Sequence, residues 1–267
     1  MLRGKNILVT GGGGFGVASG VVAALLEAEA HVIINEVDEA SLQQGLDRFP
    51  QVTAIVADVT SKADVQDLFA RLKQDCGTID GLVNNAGIGL SKKAHLASEE
   101  EFDRVFGINL KGAWHMSKLF AQQLISAEQA GAIVNISSVH AHGAMSRNAL
   151  YTTTKNAIVG LTMGMAVELG EHQIRVNAVA PGYVHAKQNY ELVSTWSDDP
   201  KQWHQDFINH QQVLHHDIKP IDVGRTVAFL LSDAARSITG QHLYVDAGKT
   251  SLLFNRDYTG DAGNYQI

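Results

Sequence analysis

Seven short runs of β-branched and aliphatic residues alternate with longer amphipathic segments along this chain of 267 residues. Such runs are typical of buried strands, and strand–helix alternation indicates a parallel sheet with helices on both faces. The sequence therefore predicts one α/β domain over residues 1–248, a doubly wound parallel sheet of seven strands. The predicted strands are Asn6–Thr10, His31–Asn35, Val52–Ala57, Gly81–Asn84, Ala132–Ser137, Arg175–Ala180 and His242–Val245. The predicted helical segments are Ser19–Ala28, Lys62–Asp75, Glu99–Ile125, Ala149–Leu169 and Ile221–Ser232.

Composition argues against several classes of protein. A formal net charge of −7 disfavours nucleic acid and anionic membranes as partners. No apolar run approaches the length of about 18 residues that suggests a membrane span, and the N-terminus does not resemble a signal peptide. The single cysteine, Cys76, excludes an internal disulfide. We expect a cytoplasmic globular protein.

A glycine-rich loop, Thr10–Ala18, joins the first strand to the first long helix. In that context Gly11 can form a tight turn, Gly16 lets the backbone approach a pyrophosphate, and the small Ala18 lets the helix pack close to the sheet. The phosphates would then bind at the helix N-terminus, where unpaired backbone N–H groups point outward. The loop therefore predicts a dinucleotide site.

Glu36 ends the second strand, where a carboxylate can accept hydrogen bonds from a ribose diol. It would repel a 2′-phosphate, and no arginine lies nearby in the sequence to receive one. The alternative interpretation of Glu36 is a solvated charge at a strand end. The position favours NAD over NADP as the cofactor.

Tyr151 and Lys155 are four residues apart on a predicted helix, so they share a face. A free tyrosine has a pKa of about 10, so it can act as a base near neutral pH only if a fixed cation outweighs the cost of burial. Ser138, thirteen residues before the tyrosine, can donate a hydrogen bond to a substrate oxygen. These three residues could together take a proton from an alcohol.

Several further motifs accompany these residues, and with them the chain resembles the short-chain dehydrogenase/reductase family in its compact single-domain branch, from Leu2 to about Gly248. In the loop after Ser138, the pair Val139-His140 resembles bacterial glucose dehydrogenases of that family. The resemblance implies a Rossmann-type fold and a homotetramer packed through helices near residues 101–125 and 149–169. The matched motifs are the glycine loop, Asp58-Val59, Asn84-Asn85-Ala86-Gly87, Ile108-Asn109-Leu110-Lys111-Gly112, Ile136-Ser137-Ser138, Tyr151 with Lys155, Arg175-Val176-Asn177 and Pro181-Gly182.

The resemblance also implies residue roles. Asn109, Ser138, Tyr151 and Lys155 would form a catalytic tetrad, with Lys155 lowering the tyrosine pKa and holding the nicotinamide ribose. The sequence departs from the family pattern at two places. The glycine loop is one residue longer than usual, and Ala186 stands where the family has a threonine that contacts the nicotinamide. Backbone groups such as those of Val184 would then have to make that contact. The implied cofactor-binding residues are Gly11, Gly14, Phe15, Gly16, Glu36, Asp58, Val59, Asn85, Ala86, Gly87, Tyr151, Lys155, Pro181, Gly182 and Val184.

Residues 183–219 interrupt the strand–helix rhythm with a long polar and aromatic stretch, which predicts a substrate lid. Flat aromatic side chains among many hydrogen-bonding groups favour a sugar, sugar acid or polyol, while Arg147 and Lys187 could meet an anionic group. The alternative is a solvated lid surface anchored by tryptophans. The candidate substrate residues are His140, Arg147, His185, Lys187, Trp196 and Trp203.

Other functions remain open at the level of sequence. A ketone reductase, including the 3-oxoacyl carrier-protein kind, would usually require NADPH and a basic surface, and a regulator without catalysis would not require the tetrad.

The pairs His140/His142 and His215/His216 invite a metal interpretation, but no carboxylate or cysteine falls at a ligand spacing, so no metal is predicted. Residues 249–267 extend past the family's last strand, and their aromatic side chains predict docking on a neighbouring subunit.

Overall fold

The computed structural model of the chain describes residues 1–254, apart from the side chains of residues 187 and 188. Within this range the strands form one parallel sheet, in the order β3-β2-β1-β4-β5-β6-β7 along the sheet. The predicted fold class is confirmed. The strands are β1 (Asn6–Thr10), β2 (His31–Glu36), β3 (Thr53–Val56), β4 (Gly81–Asn84), β5 (Gly131–Ile136), β6 (Ile174–Pro181) and β7 (His242–Val245).

Helices cover both faces of the sheet. One core lies between the sheet and α1, α2 and α9, and the other between the sheet and α3, α5 and α6. In residues 1–254 no helix is both long and apolar enough to cross a membrane. The helices are α1 (Val17–Glu27), α2 (Glu39–Arg48), α3 (Lys62–Asp75), α4 (Glu99–Phe106), α5 (Ala113–Ser126), α6 (Ala149–Leu169), α7 (Lys187–Val193), α8 (Pro200–Gln211) and α9 (Pro220–Leu231).

Two helical features differ from the sequence prediction. Helix α2 was not predicted, because its apolar stripe is short and only Leu42 and Gly45 of its ten residues are buried. Its start is instead set by Asp38, whose side chain accepts a hydrogen bond from Ser41 N. The segment predicted as one helix over Glu99–Ile125 is divided into α4 and α5 by a π-helical turn, Gly107–Gly112.

Helices α1 and α9 touch backbone to backbone through two glycines. A Cβ on Gly20 would lie 1.9 Å from Pro220 O, and a Cβ on Gly224 would lie 2.0 Å from Gly20 O. Only glycine permits this approach, because any side chain would collide with the facing main chain. The contact fixes α1, and with it the glycine loop, against the C-terminal part of the sheet.

Candidate active site

One large cavity, of about 2130 Å³, opens at the carboxyl ends of the parallel strands, where ligands of doubly wound folds bind. Most residues predicted for cofactor, substrate and catalysis line it. On the cofactor side these are Gly11, Gly14, Gly16, Glu36, Asp58, Val59, Asn85, Ala86, Gly87, Pro181, Gly182 and Val184. On the catalytic and substrate side they are Ser138, His140, Arg147, Tyr151, Lys155, Trp196 and Trp203.

The glycine loop presents backbone groups to this cavity. Helix α1 has Gly16 as its N-cap, and no side chain caps its first turn. Gly11 has a φ of +62°, and a Cβ there would lie 3.0 Å from Ala86 Cα, so the loop packs on the segment after β4. Asn85 Nδ2 ties the two loops together by donating to Thr10 O and Gly11 O, each at 3.0 Å. A helix start without a side-chain cap, approached closely by glycine backbone, fits the pyrophosphate of a dinucleotide.

Glu36 ends β2 and lines the cavity. Its Oε1 accepts a hydrogen bond from Gly13 N at 2.8 Å. Burial raises the pKa of this carboxyl, and the Gly13 N–H partly offsets that effect. The carboxylate is therefore oriented by the loop that would hold the phosphates.

An arginine reaches the glycine loop, a contact that the sequence analysis did not include. Arg48, at the end of α2, donates from Nη1 to Gly14 O at 2.8 Å, and its guanidinium lies 3.9 Å from the centre of the Phe15 ring. Arg48 is distant from Glu36 in sequence and approaches only because α2 folds back beside the loop. Neither Arg48 nor Phe15 lines the cavity, and the role of Phe15 in binding the cofactor stays a prediction.

Lys155 is buried, at 6% exposure, beside the tyrosine ring. Its Nζ donates to Ile136 O at 2.9 Å and lies 5.6 Å from the centre of the Tyr151 ring. Burial lowers the pKa of the ammonium to about 8. The lysine is thus held by the end of β5, within the cavity that would hold the nicotinamide half of the cofactor.

The pKa of Tyr151 is raised, because burial disfavours the phenolate, while a hydrogen bond from Ser138 acts in the opposite direction. The predicted lowering of this pKa by Lys155 is not seen: burial has the largest effect, and the opposing effect comes from Ser138. The rings of His140 and Tyr151 lie edge to face, with centroids 5.2 Å apart. His140 Nδ1 also lies 3.2 Å from Thr152 Oγ1, and burial lowers the pKa of its imidazole.

Asn109 lies in the π-helical turn and is 2% exposed. Its Oδ1 accepts from Ile88 N at 2.8 Å, and its Nδ2 donates to Ile88 O at 2.9 Å and to Thr154 Oγ1 at 3.1 Å. It does not line the cavity itself. Its position ties the loop after β4 to the catalytic helix α6, and π-helical turns of this kind are frequent at functional sites.

An aromatic wall closes the far side of the cavity. Trp203 is stacked on Phe207 with centroids 5.4 Å apart, and it meets Trp196 and Tyr183 at 6.1 and 5.4 Å. Tyr183, Phe207 and Lys249 were not predicted. The position of Tyr183 directly after Pro181-Gly182 could have indicated it, whereas Lys249 reaches the cavity only because the chain turns back after β7.

One predicted substrate residue, His185, does not line the cavity. His185 points elsewhere and contacts His204, with His185 Nδ1 and His204 Nε2 2.8 Å apart. The side chain of Lys187 lies outside the described part of the chain. Most of the predicted docking tail, residues 255–267, also lies outside it.

Comparison with known proteins decides the family. A family model described as enoyl-(acyl carrier protein) reductase matches residues 13–250. The chain belongs to the short-chain dehydrogenase/reductase family. It is an oxidoreductase, and its family uses nicotinamide dinucleotides.

Its relatives differ in substrate. The oxidoreductase UcpA of Salmonella typhimurium is 34% identical, over 93% of this chain and 95% of that protein. Human L-xylulose reductase is also 34% identical, over 92% of this chain and 97% of that protein.

Two solved structures share the fold closely. A gluconate 5-dehydrogenase from Burkholderia cenocepacia, in complex with NADP and tartrate, has a TM-score of 0.85 at 30% identity, covering 94% of this chain and 97% of that one. A 3-ketoacyl-(acyl-carrier-protein) reductase from Brucella melitensis, complexed with NADH, has a TM-score of 0.83 at 31% identity, covering 94% of this chain and 100% of that one. These names leave the substrate and the choice between NAD and NADP open.

Proposed function

We propose that this chain is an NAD-dependent dehydrogenase that oxidises a CH–OH group of a sugar, sugar acid or polyol. The observation that supports this best is the composition of the cavity that Ser138 and Tyr151 also line. Trp196 and Trp203 offer flat apolar faces of the kind that pack against the C–H groups of a sugar ring. Hydrogen-bonding groups placed among such faces fix the orientation of a polar ligand.

Positive charge in the same cavity favours a sugar acid. Arg147 and Lys249 both line the cavity, and either can pair with a carboxylate. The names of two similar proteins, an L-xylulose reductase and a gluconate 5-dehydrogenase with bound tartrate, agree with hydroxylated substrates.

The preference for NAD is proposed from Glu36. Its carboxylate lies at the end of β2 within the cavity, where it can accept hydrogen bonds from ribose hydroxyls and would repel a 2′-phosphate. Arg48 is bound to Gly14 O and Phe15, so it is not placed to offset that repulsion.

In the proposed mechanism, Tyr151 removes the hydroxyl proton of the substrate. Ser138 donates a hydrogen bond to the oxygen as negative charge develops there. Lys155 supplies the nearby positive charge and holds the ribose, while Asn109 positions α6 through Thr154. A bound nicotinamide dinucleotide would supply the acceptor for the hydride that leaves the carbon bearing the oxygen.

We also propose that residues 183–219 act as a lid in a domain of residues 1–248. This segment contains α7 and α8, and it supplies Trp196, Trp203 and Phe207 to the cavity. A homotetramer packed through α5 and α6 is the proposed assembly, because Trp114, Met163 and Val167 leave apolar surface on these helices exposed.

A ketone or 3-oxoacyl reductase is the second candidate, favoured by the similar 3-ketoacyl reductase fold. A screen separates the two. NADH formation would be measured with aldoses, polyols, aldonates, uronates and sulfo-sugars, and NADPH or NADH consumption with a 3-oxoacyl thioester, each beside Tyr151→Phe as the blank. Tyrosine-dependent turnover of a hydroxylated donor with NAD⁺ is expected. Turnover confined to the thioester with NADPH would refute the proposal.

A further inference from the structure

Three metal-ligating side chains meet on the lid, away from the catalytic cavity. His204 Nε2 lies 2.8 Å from His185 Nδ1 and 2.7 Å from Asp217 Oδ1, and the last two atoms are 3.9 Å apart. His185 follows β6, His204 lies on α8, and Asp217 precedes α9. None of the three lines the cavity that holds Tyr151. We propose that His185, His204 and Asp217 bind a divalent transition metal, with zinc as the best-fitting ion.

Hydrogen bonding alone does not satisfy this arrangement. His204 Nε2 carries either one proton or one lone pair, yet it faces both an imidazole nitrogen and a carboxylate oxygen at close range. If it is protonated, two acceptors compete for one proton; if it is not, the carboxylate oxygen faces a lone pair. A cation between the three atoms accepts an electron pair from each and removes this conflict.

The ring of His204 is also buried without full compensation. Its side chain is only 8% exposed, and Nδ1 has no hydrogen-bond partner among the described residues. Tyr183 and Tyr190 surround it, with ring centroids 5.4 and 6.0 Å away. Among the described residues, the ring is therefore held by polar contacts only through Nε2, the atom that faces His185 and Asp217.

The geometry is close to that of a zinc site. With Zn–N and Zn–O bonds of about 2.0–2.1 Å, a tetrahedral ion holds its ligand atoms about 3.3–3.4 Å apart. The observed separations of 2.7, 2.8 and 3.9 Å lie on both sides of that value, so movements of about half an ångström would form the site.

The ligand set narrows the choice of ion. Two imidazoles and one carboxylate suit zinc and its neighbours in the first transition row, whereas Ca²⁺ and Mg²⁺ require more oxygen ligands. His185 and Asp217 retain 36% and 39% exposure of their side chains, so one side of the cluster is open to a solvent ligand and to entry of the ion.

Two of the ligands are held in place by the backbone. Val184 pairs with Ile218 in an isolated parallel bridge, and His185 N donates to Ile218 O at 2.7 Å. These contacts set His185 beside Asp217 independently of α8. A bound ion would then join α8 to both ends of the lid, and since Trp203 adjoins His204, it would fix the aromatic wall of the cavity. The site would be structural, separate from the proton and hydride chemistry of the proposed function.

The test is zinc binding by tag-free protein that has been stripped with a chelator. Competition with a chromophoric zinc chelator should give a stoichiometry of one ion per chain. The Tm should rise by about 5 °C or more when the free Zn²⁺ concentration is about 100 times the Kd. Asp217→Asn and His204→Gln should each weaken binding at least about tenfold. His172→Ala, which removes an exposed histidine that pairs with Glu171 at the far end of α6, should bind as wild type does.

A second readout locates the ion. Co²⁺ in place of zinc should give a visible d–d spectrum of a nitrogen and oxygen site, which His204→Gln should abolish. Asp217→Asn keeps the shape of a partly exposed side chain, so it remains informative if the His204 variant fails to fold. Wild-type zinc affinity no greater than that of Asp217→Asn would overturn the proposal, as would a cobalt spectrum that persists in a folded His204→Gln protein.

Discussion

At the scale of the residue, burial of the Lys155 ammonium lowers the stability of the folded state, and it places a positive charge beside Tyr151. The lysine pKa falls from 10.5 to about 8 on burial, which corresponds to about 3 kcal/mol at about 1.36 kcal/mol per pKa unit. The folded state therefore carries this cost at neutral pH, where the lysine is charged in both the folded and the unfolded chain. Such costs are expected where a charge serves chemistry.

Lys155→Met should separate stability from function. Below about pH 8 the variant should have a free energy of unfolding about 1–3 kcal/mol above that of wild type, because no charge is buried. Between about pH 8 and 10.5 the unfolded wild-type chain binds more protons than the folded one, so wild-type stability rises and the difference shrinks. Denaturant unfolding at pH 7 and pH 9.5 measures this, and turnover and NAD binding should both be impaired. A difference that grows with pH would contradict the assignment.

Tyr151→Phe should lower kcat by about 10²–10⁴ while the affinity for NADH stays close to that of wild type. The hydroxyl acts on the substrate, and its removal leaves the cofactor side of the cavity intact. Fluorescence titration of NADH and steady-state turnover give the two values. Tyr244→Phe, outside the cavity lining, is the control and should retain activity. Substantial turnover by the Tyr151 variant would exclude it as the base.

At the scale of the element, the segment between the end of β2 and the start of α2 is proposed to set the choice between NAD and NADP. Glu36→Ala combined with Val37→Arg should change the ratio of kcat/KM for NAD⁺ to that for NADP⁺ by at least about tenfold toward NADP⁺, or about 1.4 kcal/mol. Both positions line the cavity, so the change removes a repulsive carboxylate and supplies a guanidinium for a 2′-phosphate. Glu39→Ala, outside the cavity lining, should leave the ratio unchanged. A wild-type enzyme that prefers NADP⁺ would refute the role of Glu36.

The contact between α1 and α9 gives a prediction about packing. Gly224→Ala should destabilise the fold by about 3 kcal/mol, because its methyl group would lie 2.0 Å from Gly20 O and the helices would have to separate. Gly160→Ala, where nothing lies within 4 Å of the added methyl, should be neutral or stabilising by up to about 1 kcal/mol. Denaturant unfolding compares them, after sedimentation shows that neither changes assembly. Equal stabilities would contradict the close approach of the two helices.

The elements show what sequence patterns could and could not predict. Strand β6 was predictable because Arg175–Ala180 is apolar and β-branched, and the structure extends it by one residue at each end. Helix α2 was not, since its start depends on the Asp38 cap and its surface is polar. The π-helical turn at Asn109 changes hydrogen-bond register without changing composition, so no periodicity reveals it.

At the scale of the whole molecule, the exposed apolar residues of α5 and α6 predict an assembly. Val167 is 84% exposed, and Val167→Lys should convert the proposed tetramer into smaller species by introducing unpaired charges into its interfaces. Multi-angle light scattering measures the mass, and Leu96→Lys, which changes an exposed leucine on another surface, should leave it unchanged. A monomeric wild-type protein would refute this assembly.

Contacts between residues far apart in the chain are the part of the candidate site that could not be predicted from the sequence. That Ser138, Tyr151 and Lys155 lie in one cavity could be predicted, because Tyr151 and Lys155 share one helix and Ser138 follows β5. The cluster of His185, His204 and Asp217 could not be, because its members are separated by 19 and 13 residues and meet only through the path of the lid. Arg48 likewise reaches the glycine loop only because α2 folds back, 34 residues after Gly14.

The glycine contact between α1 and α9 also bears on how the protein is made. Strand β1 and helix α1 leave the ribosome early, but one side of their core is closed by α9, more than two hundred residues later in the chain. Until Pro220–Leu231 has been synthesised, the nascent chain exposes the apolar face that this helix will cover. Domains generally fold as units during synthesis. The packing of β1 and α1 therefore depends on the synthesis of α9, and a chaperone that shields apolar surface would act on the nascent chain throughout that interval.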